Sequence, residues 1–280
     1  MKLGYNTNGL ASHRPYDGLR LLVETGYESV ALTVDHNLLA PEDTDPDKLH
    51  ELKSFLTRHE MHSVIETGAR FLLDPNNKHA PTLIDPQPER ATQRIEYTKY
   101  CIDVAAELDS QCVSIWSGQK FASDTFPDAL DRLVRNLEPI LDYAAEKGVD
   151  IGFEPEPGML IDTTGRFERL IHLAKSDRLK MTMDIGHLFC LNEVPLASYI
   201  EKFSDLIVNV HIEDMVAGVH DHLMFGEGQI HFPPVIESLA SVGYTGGLHV
   251  ELSRHSYDAC NAARQSYQFL KPIIEDALSS

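Results

Sequence analysis

Four positions in the second half of the chain share one local pattern: Phe153-Glu154, Met183-Asp184, Val210-His211 and Val250-Glu251 each place a ligand-type residue directly after an apolar run. Three carboxylates and one imidazole form an oxygen-rich, mixed set. Such a set suits Mn²⁺, Mg²⁺ or Co²⁺, accommodates Zn²⁺, and is a poor match for a thiolate-seeking metal. Brought together, the carboxylates would repel one another unless a cation neutralised them, so one divalent ion per chain is expected in the working protein. A single acid after an apolar run is more often a cap or an ion-pair partner than a ligand. The fourfold recurrence is what carries the reading.

Other side chains could address a substrate beside such an ion. Trp116, the only tryptophan, ends an apolar run and could wall a small ring, although a packing role explains it equally well. Glu156, two residues beyond Glu154, reads either as a partner hydrogen-bonded behind the ligands or as a replacement ligand. Arg254 could grip a phosphate or carboxylate, as could Arg70 and Lys78, with solvated surface charge as the default for each. His222 is placed with Trp116, Glu156 and Arg254 among the residues expected to meet the substrate.

The elements that must position these residues are legible as an alternation. Short β-branched or apolar runs (Leu3 to Asn6, Ser29 to Thr33, Ser63 to Glu66, Cys112 to Trp116, Asp150 to Glu154, Lys180 to Asp184, Ile207 to His211, Leu248 to Glu251) are separated by segments of helical period. Phe126, Ala129, Leu130, Leu133, Leu137, Ile140, Leu141 and Ala144 mark one face of such a helix, and Ile95, Tyr100, Cys101, Val104, Ala105 and Leu108 another. Gly26, Gly148 and Gly243 stand where helices should stop.

Strands alternating with helices imply a parallel sheet, and eight such units can close into a (β/α)8 barrel. In a barrel the C-terminal strand ends converge on the axis, which would make neighbours of residues some 30 to 50 positions apart in sequence. The Asn6-Thr7-Asn8-Gly9 turn after the first strand lacks the glycine pattern of a dinucleotide-binding open sheet. Two connections on the strand-to-helix side are long, Thr67 to about Arg90 and Glu213 to Ile230. They read as lids, with decorative insertion as the alternative; the second carries His220 and His222.

Composition narrows the class. A chain of 280 residues is long for one barrel and short for two ordinary domains, so a single barrel domain over residues 1–280 is expected. No apolar run could span a bilayer, and the N-terminal residues lack a signal-peptide pattern, so the expected location is cytoplasmic. Cys101, Cys112, Cys190 and Cys260 are scattered without a CxxC pair and read as reduced thiols. A formal charge of -19 without a basic cluster opposes nucleic-acid binding.

The motifs Ile151-Gly152-Phe153-Glu154-Pro155-Glu156, Met183-Asp184-Ile185-Gly186-His187, Asn209-Val210-His211-Ile212-Glu213-Asp214 and His249-Val250-Glu251 resemble the xylose isomerase-like TIM barrel superfamily, which includes sugar phosphate isomerases and epimerases. Gly226-Glu227-Gly228-Gln229-Ile230 and Gly243-Tyr244-Thr245-Gly246 resemble the linker before the last strand in its sugar-active branch. The resemblance implies that Glu154, Asp184, His211 and Glu251 hold the ion, and that Glu154 and Glu251 form an acid/base pair on opposite sides of a small polyol or keto-sugar. It implies further that the substrate is deprotonated next to its carbonyl through a metal-stabilised enediolate. It makes His187 a substrate-binding residue, where a helix-capping histidine is the plainer alternative. Barrels of this group often form homo-oligomers, dimers or tetramers.

One departure leaves the substrate open: ketose epimerases place an arginine soon after the histidine ligand, whereas the first arginine after His211 is Arg254. The same residues also suit elimination, so a lyase or dehydratase acting on a keto-sugar or inosose stands as the alternative to the isomerase or epimerase. A nuclease of the endonuclease IV type is disfavoured, because Glu66-Thr67 and Trp116-Ser117 supply none of the extra histidines that a three-metal cluster needs. A non-catalytic barrel is disfavoured by the intact ligand set.

Overall fold

A computed structural model describes residues 1–279. Eight parallel strands form a closed barrel: β1 (Lys2–Asn6), β2 (Ser29–Thr33), β3 (His62–Glu66), β4 (Cys112–Ile115), β5 (Asp150–Phe153), β6 (Leu179–Asp184), β7 (Ile207–Ile212) and β10 (Gly247–Val250), in the order β1-β10-β7-β6-β5-β4-β3-β2. Between β7 and β10 in sequence, β8 (Asp214–Val216) and β9 (Val219–Leu223) pair antiparallel as a hairpin. The expected strands are all present, each displaced by no more than one residue at an end. As a result Trp116, Glu154 and Glu251 lie one residue past their strands.

The connecting helices are α1 (Pro15–Thr25), α2 (Pro46–Arg58), α3 (Pro88–Leu108), α4 (Phe126–Lys147), α5 (Thr164–Ala174), α6 (Ile185–Cys190), α7 (Leu196–Phe203), α8 (Phe232–Ser241) and α9 (Ala259–Ser279). Their starts follow from capping chemistry. The Thr125 hydroxyl accepts from the backbone N–H of Asp128 at α4, and Thr163 does the same for Arg166 at α5. On α4 the inward face is Ala129, Leu130, Leu133, Leu137, Ile140, Leu141 and Ala144, all buried, while Phe126 at its start is half-buried. Gly26, Gly148 and Gly243 all take positive φ as expected, but Asp109 and Lys175 adopt the same left-handed cap without being glycine.

The chain packs as two compact units whose boundaries fall inside β2, α2, β3 and β6. The first comprises Met1–Leu32, Phe55–Ser63 and Met183 onward. There β1 pairs with β10 and β2, and β10 with β7, with Gly4 opposite His249 and His249 opposite His211. The second comprises Thr33–Ser54 and Val64–Thr182, where β4 pairs with β3 and β5, and β5 with β6. Strands covered on both faces are buried throughout, β2 and β4 along their full length. Small polar side chains pair within this second unit, as where Thr182 Oγ1 donates to Ser114 Oγ at 3.0 Å.

Both long connections are built structures. In the first, Arg90 at the start of α3 grips Asp74 (3.0 Å) and Asp85 (2.9 Å), while Asp74 also accepts from the backbone N–H of Asn76. In the second, the buried Asp214 carboxylate gathers four backbone N–H groups, those of Met215, Gly226, Gly228 and Ile230, at 2.9 to 3.1 Å. A Cβ at Gly228 would lie 2.3 Å from Asp214 Oδ1, so the glycine there is a requirement of space. Among the described residues no helix is long and apolar enough to cross a membrane.

Because one carboxylate closes the 224–230 turn, Asp214→Ala should cost roughly 3 kcal/mol in urea unfolding. Hydrogen exchange should then accelerate at the amides of Gly226, Gly228 and Ile230. Unchanged protection at those amides would show that the turn holds without the carboxylate.

Candidate active site

Asp184 does two jobs at the end of β6. Its Oδ1 accepts from the backbone N–H of His187 at 2.8 Å and so caps α6, which turns His187 back toward the acid that caps it. The capping group is therefore Asp184 and not the histidine. Oδ2 of Asp184 is buried without a hydrogen-bond partner, 3.5 Å from His187 Nε2 and 4.0 Å from His211 Nδ1. Burial opposes its ionisation, yet the imidazoles of His187, His222 and His211 outweigh that and hold the carboxyl below its usual range.

His211, buried on β7, directs Nδ1 at Glu251 Oε2, 3.0 Å away. The other oxygen of Glu251 accepts from Asn8 Nδ2 at 2.7 Å. Both oxygens of Glu251 are thus held, and although burial opposes ionisation, His211 and then the further imidazoles keep its carboxyl well below the usual range. The sequence reading missed Asn8. Its placement arises locally, because Asn6 Oδ1 accepts from the Asn8 backbone N–H at 3.0 Å and opens a 3-10 turn.

The β8–β9 hairpin brings two further imidazoles. His187 Nε2 lies 3.1 Å from His220 Nε2, which in turn is 3.3 Å from His222 Nε2. The Nδ1 of His222 sits 3.0 Å from the backbone carbonyl of Glu251, fixing that ring against the last strand end. Burial pushes His187 down to about 4, so its ring is neutral at physiological pH.

Glu213, also missed, is fully buried beside these groups, and neither of its oxygens meets a hydrogen-bond donor. Burial, with Asp184 and Glu251 adding to it, raises its carboxyl well above the usual range, so the group stays protonated and can donate toward Asp184. It fits only because residue 186 is glycine: a Cβ there would stand 1.9 Å from Glu213 Oε1.

Glu154 is buried just past β5, and its backbone N–H continues the ladder to the Ile115 carbonyl at 2.8 Å. Asp184 and Glu251 both face His211, whose Nδ1 lies 4.0 Å from Asp184 Oδ2 and 3.0 Å from Glu251 Oε2. Asp184, His211 and Glu251 are three of the four ligands expected from sequence.

The remaining expected residues are placed differently. Glu156 is half-buried in a turn where its N–H donates to the Ile161 carbonyl at 3.1 Å. Trp116 is half-buried, edge-on to His79 at 5.5 Å and covered by the Arg94 guanidinium 4.9 Å from its ring. Arg94, on the inward face of α3 and fully buried, is another residue the sequence reading missed; it donates to the Thr67 carbonyl at 2.8 Å. Arg254 is exposed and paired with Asp221 of the hairpin, and Arg70 is paired with Asp35 at 2.7 Å. Lys78 is exposed.

Comparison with known proteins gives a consistent set of relatives. The model of the xylose isomerase-like TIM barrel family matches residues 19–273. An inosose dehydratase of Lacticaseibacillus casei is 30% identical over 141 residues, 44% of this chain and 47% of that protein. A fructoselysine 3-epimerase of Shigella flexneri is 27% identical over 189 residues, 66% of this chain and 68% of that protein. The crystal structure of the IolI protein with a bound zinc atom superposes with a TM-score of 0.81 at 17% identity, covering 100% of both chains, and so shares the fold. With the family match spanning most of its length and a closed eight-stranded parallel barrel beneath it, the chain belongs to the xylose isomerase-like TIM barrel family.

Proposed function

We propose that this chain is a divalent-metal-dependent isomerase or epimerase of a small polyol or keto-sugar, phosphorylated or not. The observation that carries the reading is the convergence of Asp184 and Glu251 on His211, with Glu154 proposed as the fourth ligand. The closed strand order supports treating residues 1–280 as one catalytic domain.

The residues present fit a cation. Asp184 Oδ2 and both oxygens of Glu213 are buried without donors, and a protonated Glu213 answers the same excess of negative charge that an ion would. Glu154, Asp184, His211 and Glu251 would hold it, and Mn²⁺, Mg²⁺, Co²⁺ and Zn²⁺ all suit those donors. The zinc atom of the structurally similar IolI protein keeps zinc in that group. A divalent ion there supplies Lewis-acid polarisation of a substrate carbonyl, which makes the adjacent C–H acidic.

The chain's own residues then move the proton. Glu251 is ionised at neutral pH and is aimed by Asn8, which suits a general base. Glu154 serves as its counterpart, so that one carboxylate removes the proton and the other returns it. Transfer on opposite faces inverts a centre, whereas return to the neighbouring carbon moves the carbonyl. A neutral His187 can hold a substrate oxygen, with His222, Trp116, Glu156 and Arg254 as the wider contact set.

The similarity to an inosose dehydratase favours a second reading, in which the same deprotonation is followed by loss of a β-hydroxyl. Incubating candidate ketoses in D₂O separates the two. Deuterium exchange without loss of substrate mass supports the isomerase or epimerase, and a dehydrated or cleaved product supports the lyase.

Metal content by inductively coupled plasma mass spectrometry should show about one divalent ion per chain, depleted in Glu154→Gln, Asp184→Asn, His211→Ala and Glu251→Gln. A wild-type protein that cannot be loaded with any of the four ions would sink the mechanism.

Glu213 gives a test in the ion-free protein. Its raised carboxyl contributes full stability below the unfolded value near 4.5, and that contribution is lost as pH rises through the folded value. With chelator present, the stability of Glu213→Gln relative to wild type should therefore rise from pH 5 to pH 8, by up to about 1.4 kcal/mol per pH unit. A difference independent of pH would show that Glu213 titrates normally.

A further inference from the structure

Behind His211 runs a chain of buried polar groups that the proton chemistry does not use. Asn209, two residues earlier on β7, shares the face of His211, and its Nδ2 lies 3.2 Å from His211 Nε2. Its Oδ1 lies 2.8 Å from His249 Nδ1, and His249 Nε2 lies 2.8 Å from Ser29 Oγ on β2. Ser29 Oγ also reaches the His62 carbonyl at 3.3 Å. Ser29, Asn209 and His249 are fully buried.

The fold makes deliberate room for this chain. His249 stands opposite His211 across β10 and β7, and opposite Gly4 across β10 and β1. A Cβ at Gly4 would lie 2.3 Å from His249 Cδ2, and one at Gly247 would lie 2.2 Å from His249 Cε1. Neither glycine has a positive φ, so both are glycine for space, and the space they leave holds an imidazole. Burying three polar side chains in a barrel interior is unfavourable unless each is hydrogen-bonded, and here the bonds link up in series.

We propose that Asn209 is a positioning residue which, through His249 and Ser29, sets the ring orientation and the proton-bearing nitrogen of His211 according to whether a cation is bound. The inference rests on His211 being a metal ligand. In a neutral His211 whose Nδ1–H donates to Glu251, 3.0 Å away, Nε2 accepts from the Asn209 amide N–H. His249 Nδ1–H then donates to Asn209 Oδ1, and the Ser29 hydroxyl donates to His249 Nε2. Were Nδ1 to serve as the ligand to a cation it would need its lone pair, the ring proton would sit on Nε2, and the direction of every link would reverse. Nε2–H donates to Asn209 Oδ1, Asn209 Nδ2–H donates to His249 Nδ1, His249 Nε2–H donates to Ser29, and the Ser29 hydroxyl turns to the His62 carbonyl.

Only an amide can serve both directions at residue 209. It offers one donor and one acceptor, and a half-turn about its terminal bond exchanges them. A carboxylate can only accept, which matches the ion-bound direction at the His211 link but not at the His249 link, and an aliphatic side chain can do neither.

The test uses the full chain with ¹⁵N-labelled histidine, as wild type, Asn209→Leu and Asn209→Asp, with Zn²⁺ affinity measured by competition against a chromophoric chelator. Asn209→Leu should weaken binding about 10- to 100-fold, while Asn209→Asp should stay within about 10-fold of wild type. Long-range ¹H–¹⁵N spectra of the wild type should show His211 protonated on Nδ1 without zinc and on Nε2 with it. A folded Asn209→Leu that binds zinc like wild type would overturn the proposal, as would a His211 tautomer unchanged by zinc. Should Asn209→Leu fail to fold by circular dichroism, the wild-type spectra decide alone. A wild type that binds no ion would instead overturn the metal-dependent reading above.

Discussion

Crowded negative charge in a low-dielectric interior is the constraint to which the site's other features respond. Asp184, Glu213 and Glu251 share one region with few donors, and in such surroundings like charges a few ångströms apart repel by several kcal/mol even at an effective dielectric near 20. The protein answers in three ways. Imidazoles of His187, His211 and His222 face the acids, Glu213 keeps its proton, and Asn8 donates to the oxygen of Glu251 that His211 leaves open. A divalent ion would replace the weakest of these answers, the protonated acid, with a full counter-charge. Stability and metal binding are coupled in such a design, because the ion relieves a strain that folding alone leaves in place.

The hairpin after β7 extends the same logic. Its strands are short and polar, so they cannot stand on their own hydrophobic burial. Asp214 supplies the missing anchor by collecting the amides of the 224–230 turn, which holds the hairpin where His220 and His222 reach His187. Neighbouring acids in sequence thus have opposite fates. Asp214 is saturated with donors and is structural, whereas Glu213 is starved of them and belongs to the site.

What could be read from the sequence follows from which signals are periodic. The barrel strands are apolar runs bounded by turn residues, and the four proposed ligand positions stand out because each ends such a run. Asn209, His249 and Ser29 sit inside runs, where a polar residue looks like noise in a hydrophobic pattern. Their partners come from other strands, so no spacing along the chain announces them. Arg94 was hidden for a related reason: on a helix face a cation reads as solvent-exposed, and only the tertiary structure shows it buried over Trp116. Asn8 lay within a turn that was legible only as lacking a phosphate-binding pattern. The hairpin was read only as part of a long connection, a lid, because Val219-His220-Asp221-His222-Leu223 offers apolar side chains only at its ends.

Four glycines complete the account, since they record the demands of the polar groups and not of the backbone. Gly186 clears the Glu213 carboxyl, Gly228 clears Asp214, and Gly4 with Gly247 clears His249. Each removes a side chain that would otherwise have packed in the interior, and a buried Ala or Val at any of them would favour folding if burial were the only demand. That four positions forgo this gain, each beside a polar group linked to the ligand set or to the loop that flanks it, argues that the barrel interior here is shaped for its chemistry first and for its apolar packing second.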